Sequence, residues 1–445
     1  MKRHMRGLYL AWLLDSRAIA ARRTVREILR TLMFRKRTVD VFLQLDDPYS
    51  YLLSHYLAVI REQYAKITFR YYLGQSLRGD YMPEPGLAAE YAVYDCKELA
   101  RELGVPFLDV GNTPVVEYRR SLLDFLAEEH DEEDFPDTFT RALALYWRGD
   151  SEGVQRMLGR VQPERAETSV LVGRNQLLLR KMGHYSCATL HYQGEWYAGT
   201  DRLPYFVDRL DGWKLKRFDE AVTALASLRQ AQKLSLPATR PSRAAALPPF
   251  ELFYSFRSPY SYLSLERVFR IADAFGLRLD VRPVLPMVMR GMKVPRAKLR
   301  YIVQDANREA RKHGVAFGRI ADSLGRGAER CIAAFYYAKG EGRERDFLLE
   351  AGKAIFADAI DVATDDGMAQ VAERAGLFWP DLKKSLADDS WRDKAAANRE
   401  ALTEAGLWGV PVLKIGSIAF WGQDRDWLIA RKIEDLCHGG EGIME

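Results

Sequence analysis

Cysteine is scarce here: Cys96, Cys187, Cys331 and Cys437 are the four in 445 residues, and no two form a C-x-x-C pair. That spacing excludes a zinc ribbon and a dithiol redox centre. Scattered thiols fit a reducing compartment, in which disulfides do not persist, so a cytoplasmic location is expected. Long apolar runs are missing as well, and no stretch reaches the ~18 residues that a membrane-spanning helix requires. Excess charge of one sign is confined to one place. Residues 1–38 hold eleven Lys/Arg and two Asp/Glu, a net +9, which leaves −4 for the rest of a chain whose total is +5. That balance predicts no nucleic-acid groove.

What is present is an ordinary globular composition, 48% hydrophobic and 29% charged, in a chain long enough for two or three domains. One stretch organises the rest: Phe253-Tyr254-Ser255-Phe256-Arg257-Ser258-Pro259-Tyr260-Ser261-Tyr262-Leu263. It reads as a buried strand, a polar break, and a helix with proline at its first position. Ser258 stands at the helix N-cap, where serine commonly serves only to satisfy backbone N–H groups. The same place also receives the positive end of the helix dipole.

The pattern occurs twice, since Val41–Leu52 ends in the same Pro-Tyr-Ser-Tyr-Leu. Pro48 and Pro259 are 211 residues apart, and Asp95 and Asp305 are 210 apart. Such spacing describes the repeat of a whole domain. In the first repeat the expected elements are strand Val39–Leu45, a helix from Pro48 to about Tyr64 and strand Ile67–Leu73. A helical region over 86–180 and paired strands Ala188–Tyr192 and Glu195–Tyr197 follow. In the second they are strand Glu251–Phe256, helix Pro259–Phe275 and strand Leu277–Val284. A helical block over 296–404, strands Pro411–Ile415 and Ile418–Trp421, and a helix from Gln423 complete it. The expected layout is a basic helical segment over 1–38, domains over 39–216 and 248–437, a Pro/Ser/Arg-rich linker over 217–247, and a tail over 438–445.

The second domain closes with Gly409-Val410-Pro411-Val412-Leu413 and Phe420-Trp421-Gly422-Gln423-Asp424-Arg425. Strand–Ser-Pro–helix, a late Gly-Val-Pro strand and this final motif, in this order, resemble the 2-hydroxychromene-2-carboxylate isomerases. These group with kappa-class glutathione transferases in the DsbA-like branch of the thioredoxin fold. The resemblance covers residues 248–437 well and 39–216 more loosely. It implies an α/β fold of two tandem thioredoxin-like domains, each with an inserted helical subdomain, and glutathione as cofactor in the second.

The resemblance places Ser258 beside the cofactor thiol, where a hydroxyl and a helix N-terminus favour the thiolate. Arg257 either adds positive potential there or is a solvated surface charge. Val410-Pro411 matches a cis-proline strand whose backbone pairs with the peptide cofactor, the bland alternative being an ordinary trans proline. Gln423 and Asp424 match the pair that receives the γ-glutamyl carboxylate and ammonium, though Asp424 also suits a plain helix start. In the family the thiol adds to a conjugated carbon of a small unsaturated or aromatic substrate, and elimination follows rotation. One departure is Met292, where the family often has asparagine; Lys293 is the candidate electrostatic substitute.

In the first repeat, Asp47 stands at the position of Ser258, and Ala188 at that of Pro411. A carboxylate there repels a thiolate, so this half is expected to be a scaffold that pairs with the other as in a dimer. Thr200 and Asp201 keep only the helix start. His184, Cys187 and His191 lack a fourth metal ligand, and no metal site is expected. Residues 1–38 carry apolar residues at helical spacing between arginines. Three readings stay open for them: a helix packed on the body or on a second copy of the chain, a helix on an anionic membrane, or a targeting peptide. The expected activity is glutathione-dependent isomerisation, with a kappa-like transferase or a non-catalytic scaffold as the alternatives.

Overall fold

Val39-Asp40-Val41-Phe42-Leu43 and Phe250-Glu251-Leu252-Phe253-Tyr254 are mostly apolar, which marks strands covered on both faces. The computed structural model describes residues 12–107, 116–159, 166–217 and 223–439. Its chain divides into two units, residues 22–233 and residues 234–445, the latter together with residues 1–21. Each unit holds one four-stranded sheet, and helices dominate the rest.

The N-terminal helix α1 (Ser16–Leu32) precedes strand β1 (Arg37–Leu43). In the first unit, helix α2 (Pro48–Gln63) crosses from β1 to its parallel neighbour β2 (Ile67–Leu73). Helices α3 (Pro85–Leu103), α4 (Arg119–Glu129), α5 (Phe135–Arg148), α6 (Ser151–Leu158) and α7 (Ala166–Met182) follow. The hairpin β3 (Thr189–Tyr192) and β4 (Glu195–Ala198) completes the sheet in the order β2-β1-β3-β4. Its turn uses Gln193 and Gly194, both at positive φ, as a two-residue hairpin with a right-handed twist favours. Helices α8 (Leu203–Asp211) and α9 (Thr223–Ala231) end the unit.

The second unit repeats the plan. Strand β5 (Phe250–Tyr254) leads through α10 (Pro259–Phe275) to the parallel β6 (Leu279–Pro283). The helical block comprises α11 (Arg296–His313), α12 (Arg326–Gly340), α13 (Glu344–Lys353), α14 (Asp365–Arg374), α15 (Trp379–Ser385) and α16 (Trp391–Glu404). Strands β7 (Val412–Ile415) and β8 (Ile418–Trp421) return antiparallel, giving β6-β5-β7-β8, before α17 (Asp426–His438). β5 is wholly buried, as its composition predicts.

Two expected boundaries move. The linker expected over 217–247 contains α9, which buries Leu225, Leu228 and Ala231 in the first unit. Its short alanine- and leucine-rich run has enough apolar residues to cover a helix face, which the Pro/Ser/Arg-rich surroundings obscure. The segment 1–38 is not an independent piece either. Leu13 and Leu14 are buried, and Asn307 of α11 donates to the Leu14 carbonyl at 2.8 Å. Of the expected tail, residues 440–445 lie outside the described residues.

The repeated motifs have a structural meaning. Tyr49 donates to Asp95 at 2.9 Å, and Tyr260 donates to Asp305 at 2.8 Å. Both carboxylates are buried, so each tyrosine supplies a partner that water cannot. In the same way Ser50 Oγ accepts from Gln44 N in one unit, and Ser261 Oγ accepts from Ser255 N in the other. Each bond ties the first helix of a unit to its helical block or to the end of its first strand. Removing the hydroxyl by Tyr260→Phe should destabilise the protein by ~1–3 kcal/mol, read as a lower denaturant midpoint with an unchanged m-value. A change within error would show that Asp305 is satisfied without it.

Candidate functional site

The best-placed polar group in the second unit is Ser258. It caps α10 with extended backbone, and its Oγ accepts from Ser261 N at 3.2 Å. The same Oγ lies 3.4 Å from the carbonyl of Val410, 152 residues later in the chain. Ser258 is therefore an N-cap and also a neighbour of the Gly-Val-Pro segment. The Val410–Pro411 peptide is cis. Pro411 O accepts from Gly422 N at 3.0 Å, and the β7–β8 ladder starts at the Val412–Trp421 pair. Val410 lies just outside that ladder, half-buried, and its N–H makes no hydrogen bond among the described residues.

Gly409 is fixed by space. A Cβ there would come within 2.3 Å of the Trp421 ring, which meets Trp408 edge-on at 4.7 Å between centroids. The indole Nε1 of buried Trp408 has no hydrogen-bond partner among the described residues, and its carbonyl accepts from Arg290 at 2.8 Å.

Gln423 and Asp424 part company. Gln423 is buried, with both ends of its amide engaged: Arg267 donates to Oε1, and Nε2 donates to Glu309 at 2.6 Å. Arg267 also donates to Gln423 O at 2.8 Å, to Leu263 O at 2.9 Å and to Asp426 at 2.5 Å. The helix expected from Gln423 consequently starts at Asp426, after a 3₁₀ turn over Gln423–Arg425. Asp424 is half-buried, and its carboxylate folds over Gly422, where φ is +130° and a Cβ would lie 2.5 Å from Oδ1. Only glycine fits that combination of positive φ and close approach.

Arg257 is half-buried, and its Nε donates to the exposed Asp322 at 2.9 Å, an ion pair at the surface. Lys293 is exposed, and Met292 half-buried, in the loop after β6. Sequence reasoning missed Arg267, Glu309 and Asp426. The available signal was an arginine in α10 on the face that buries Leu263, Ile271 and Phe275. A charge there requires partners, because burying one unpaired is costly.

The corresponding place in the first unit is built differently. Asp47 caps α2, accepting from Tyr49 N at 3.3 Å, Ser50 N at 3.1 Å and Ser50 Oγ at 2.7 Å. Burial outweighs these bonds and raises its pKa to about 6. Cys187 packs on Gly74, where a Cβ would lie 2.2 Å from the sulfur, and burial with Asp47 and Asp46 nearby pushes the thiol pKa up. Ala188 follows a trans peptide, at φ +52°. His184 stacks on Tyr185 and Trp196, while His191 sits 3.4 Å from Asp40.

Two predictions follow from these environments. Asp47 has a folded pKa above its unfolded value, so the folded state holds the proton more firmly. Stability should therefore fall as pH rises from about 4 to about 6 and then level off. Asp47→Asn should remove that step in the pH-dependence of Tm; a step of unchanged size would place its origin elsewhere. Gly409→Ala should lower stability by ~1–3 kcal/mol, because the added methyl displaces Trp421 in a packed site, with a matching change in tryptophan fluorescence.

Comparison with known proteins bears on residues 250–434, which match the family model of the DSBA-like thioredoxin domain. The chain is 23% identical over 195 residues to a 2-hydroxychromene-2-carboxylate isomerase of Pseudomonas putida, covering 42% of this chain and 95% of that one. It is 25% identical over 183 residues to one of Sphingobium xenophagum, covering 39% and 92%. A solved 2-hydroxychromene-2-carboxylate isomerase superposes with a TM-score of 0.37 at 22% identity, covering 43% of this chain and 96% of that one. The cytosolic disulfide reductase DsbM of Pseudomonas aeruginosa, solved with GSH, gives a TM-score of 0.31 at 14% identity, covering 42% and 98%. The second half of this chain, over residues 250–434, is a DSBA-like thioredoxin domain.

Proposed function

We propose that the second domain is a glutathione-dependent isomerase of the 2-hydroxychromene-2-carboxylate isomerase type. The observation that carries this reading is the meeting of Ser258 Oγ with the Val410 carbonyl at 3.4 Å. A helix N-terminus, a hydroxyl and a free stretch of backbone converge on one spot there. Similarity to curated isomerases, over 39–43% of this chain and 92–95% of theirs, supports the reaction class.

The residues present fit a thiol-bearing peptide. Val410 has an N–H without a partner among the described residues and a carbonyl with only a long hydroxyl contact. Those two groups would pair with the backbone of the cysteinyl part, as an added strand does. The start of the 423–425 turn would offer the Gln423 N–H to a carboxylate, and Asp424 would take an ammonium group. Arg267 and Glu309 hold Gln423 so that this turn is set before any ligand arrives. Bound glutathione would supply the nucleophile, its thiolate, for reversible addition to a conjugated carbon.

Ser258 would act by hydrogen bonding. Its O–H would turn from Val410 O to the sulfur and stabilise the anion, while the N-terminus of α10 adds positive potential. A free thiol with a pKa near ~8.5 is mostly protonated at neutral pH, so this stabilisation decides how much nucleophile is present. Arg257 would contribute little, being paired with Asp322.

Ser258→Ala should lower kcat/KM for isomerisation roughly 10- to 100-fold, the loss of one hydrogen bond to a charged group. It should also move the rising limb of the pH profile upward, since the bound thiol would then ionise at higher pH. Calorimetric titration of glutathione, with ultraviolet thiolate absorbance, gives the binding side of the same test. Saturable one-site binding, with less thiolate in Ser258→Ala, is expected. Absence of binding at millimolar glutathione would overturn the reading. A transferase would instead yield a stable conjugate in place of an isomer.

A further inference from the structure

Helix α1 is mounted with its charged side inward. Arg23 donates to Glu195 through both Nε and Nη2, each at 2.6 Å. Glu27 is buried and accepts from Arg30 at 2.9 Å, from Gln193 at 2.7 Å and from Arg37. Arg26 reaches the Gln193 carbonyl. These partners belong to β1, to the hairpin of β3 and β4, or to α1 itself, so polar bonds fix the rotation of the helix about its axis.

The consequence is an apolar face turned to solvent. Val25, Ile28, Leu29, Leu32 and Met33 follow the i, i+3, i+4, i+7, i+8 spacing of one helix stripe, and each is at least 46% exposed. Phe34, at φ +51° just past the helix, is 96% exposed and extends the stripe. Aliphatic and aromatic side chains of this size rarely stand together in water without an occupant.

Charge selects the occupant. Residues 22–37 contain seven Lys/Arg and a single acid, Glu27, which is buried. The exposed charged residues of this stretch, Arg26, Arg35 and Lys36, are all positive, and of these Arg26 also reaches the Gln193 carbonyl. A second copy of the same face would bring those cations together, and six side chains fall well short of the ~20–30 residues per side of a stable dimer. A convex helix with a basic rim and an unstructured demand for apolar cover fits the interface of an anionic bilayer. We propose that α1 is a peripheral membrane anchor, its Val25–Phe34 face lying in the headgroup region of an anionic membrane and Arg35 and Lys36 pairing with lipid phosphates.

The test is sedimentation of the full chain with phosphatidylcholine vesicles, with and without phosphatidylglycerol, at physiological salt. Wild type should pellet with the anionic vesicles and bind roughly tenfold less to the neutral ones. The double variant L29D/L32D should lose roughly tenfold or more of that binding, with unchanged far-ultraviolet circular dichroism. The variant R35E/K36E should bind more weakly and with a flatter salt dependence. Phe34→Trp should shift its emission to the blue on anionic vesicles alone. The proposal is overturned if wild type stays in the supernatant, or if L29D/L32D binds as wild type does. A dimer abolished by L29D/L32D, without vesicle binding, would assign the face to a second copy. Capture of polyglutamate without vesicle binding would assign it to an acidic protein.

Discussion

The second domain depends on the buried guanidinium of Arg267. It makes four hydrogen bonds, to Leu263 O, Gln423 O, Gln423 Oε1 and Asp426, with partners on its own helix, on the 423–425 turn and on the last helix. A buried cation of this kind adds little net stability over an apolar substitute, because its desolvation offsets most of the attraction. What it provides is direction. Gln423 is held at three atoms, two by Arg267 and one by Glu309, so the turn that carries Asp424 has one arrangement.

The first unit shows what the same sheet does without that constraint. In the sequence registers that align the repeats, Tyr56 and Leu203 stand where the second domain has Arg267 and Asp426. Both are buried, as is Thr200 in the place of Gln423. Apolar core stands there in place of the polar network, and the helix cap is a carboxylate that burial drives toward its neutral form. Cys187, its sulfur packed against Gly74, behaves as a small hydrophobe rather than a reactive thiol. The sheet order is nevertheless the same in both units, because strand pairing and helix packing rest on apolar residues such as those of β1 and α2.

α1 makes a related point about polarity. An apolar stripe on a helix ordinarily marks the side that packs on the protein. Here Arg23 and Glu27 find buried or half-buried partners on the β3–β4 hairpin, and the stripe is left outside. Ahead of α1, Leu13 and Leu14 are buried. One segment therefore contains both an inward anchor and an outward face.

The strands, the proline-started helices and the repeat of 210 to 211 residues were legible from residue order, because each is set by local chemistry. Proline at the first helical position, an N-cap before it and an apolar run ahead of both act within a few residues. The helix Pro259–Phe275 and the strands Ile67–Leu73 and Ile418–Trp421 have the expected limits for that reason. The placement of Ser258 beside Val410 joins positions 152 apart, and that of Arg267 on Gln423 joins positions 156 apart. A motif could suggest the first of these meetings; nothing local pointed to the second. The late start of α17 and the inverted mounting of α1 were likewise decided by tertiary structure. Sequence periodicity states that a helix has two faces, but only the partners brought up by the fold decide which one is covered.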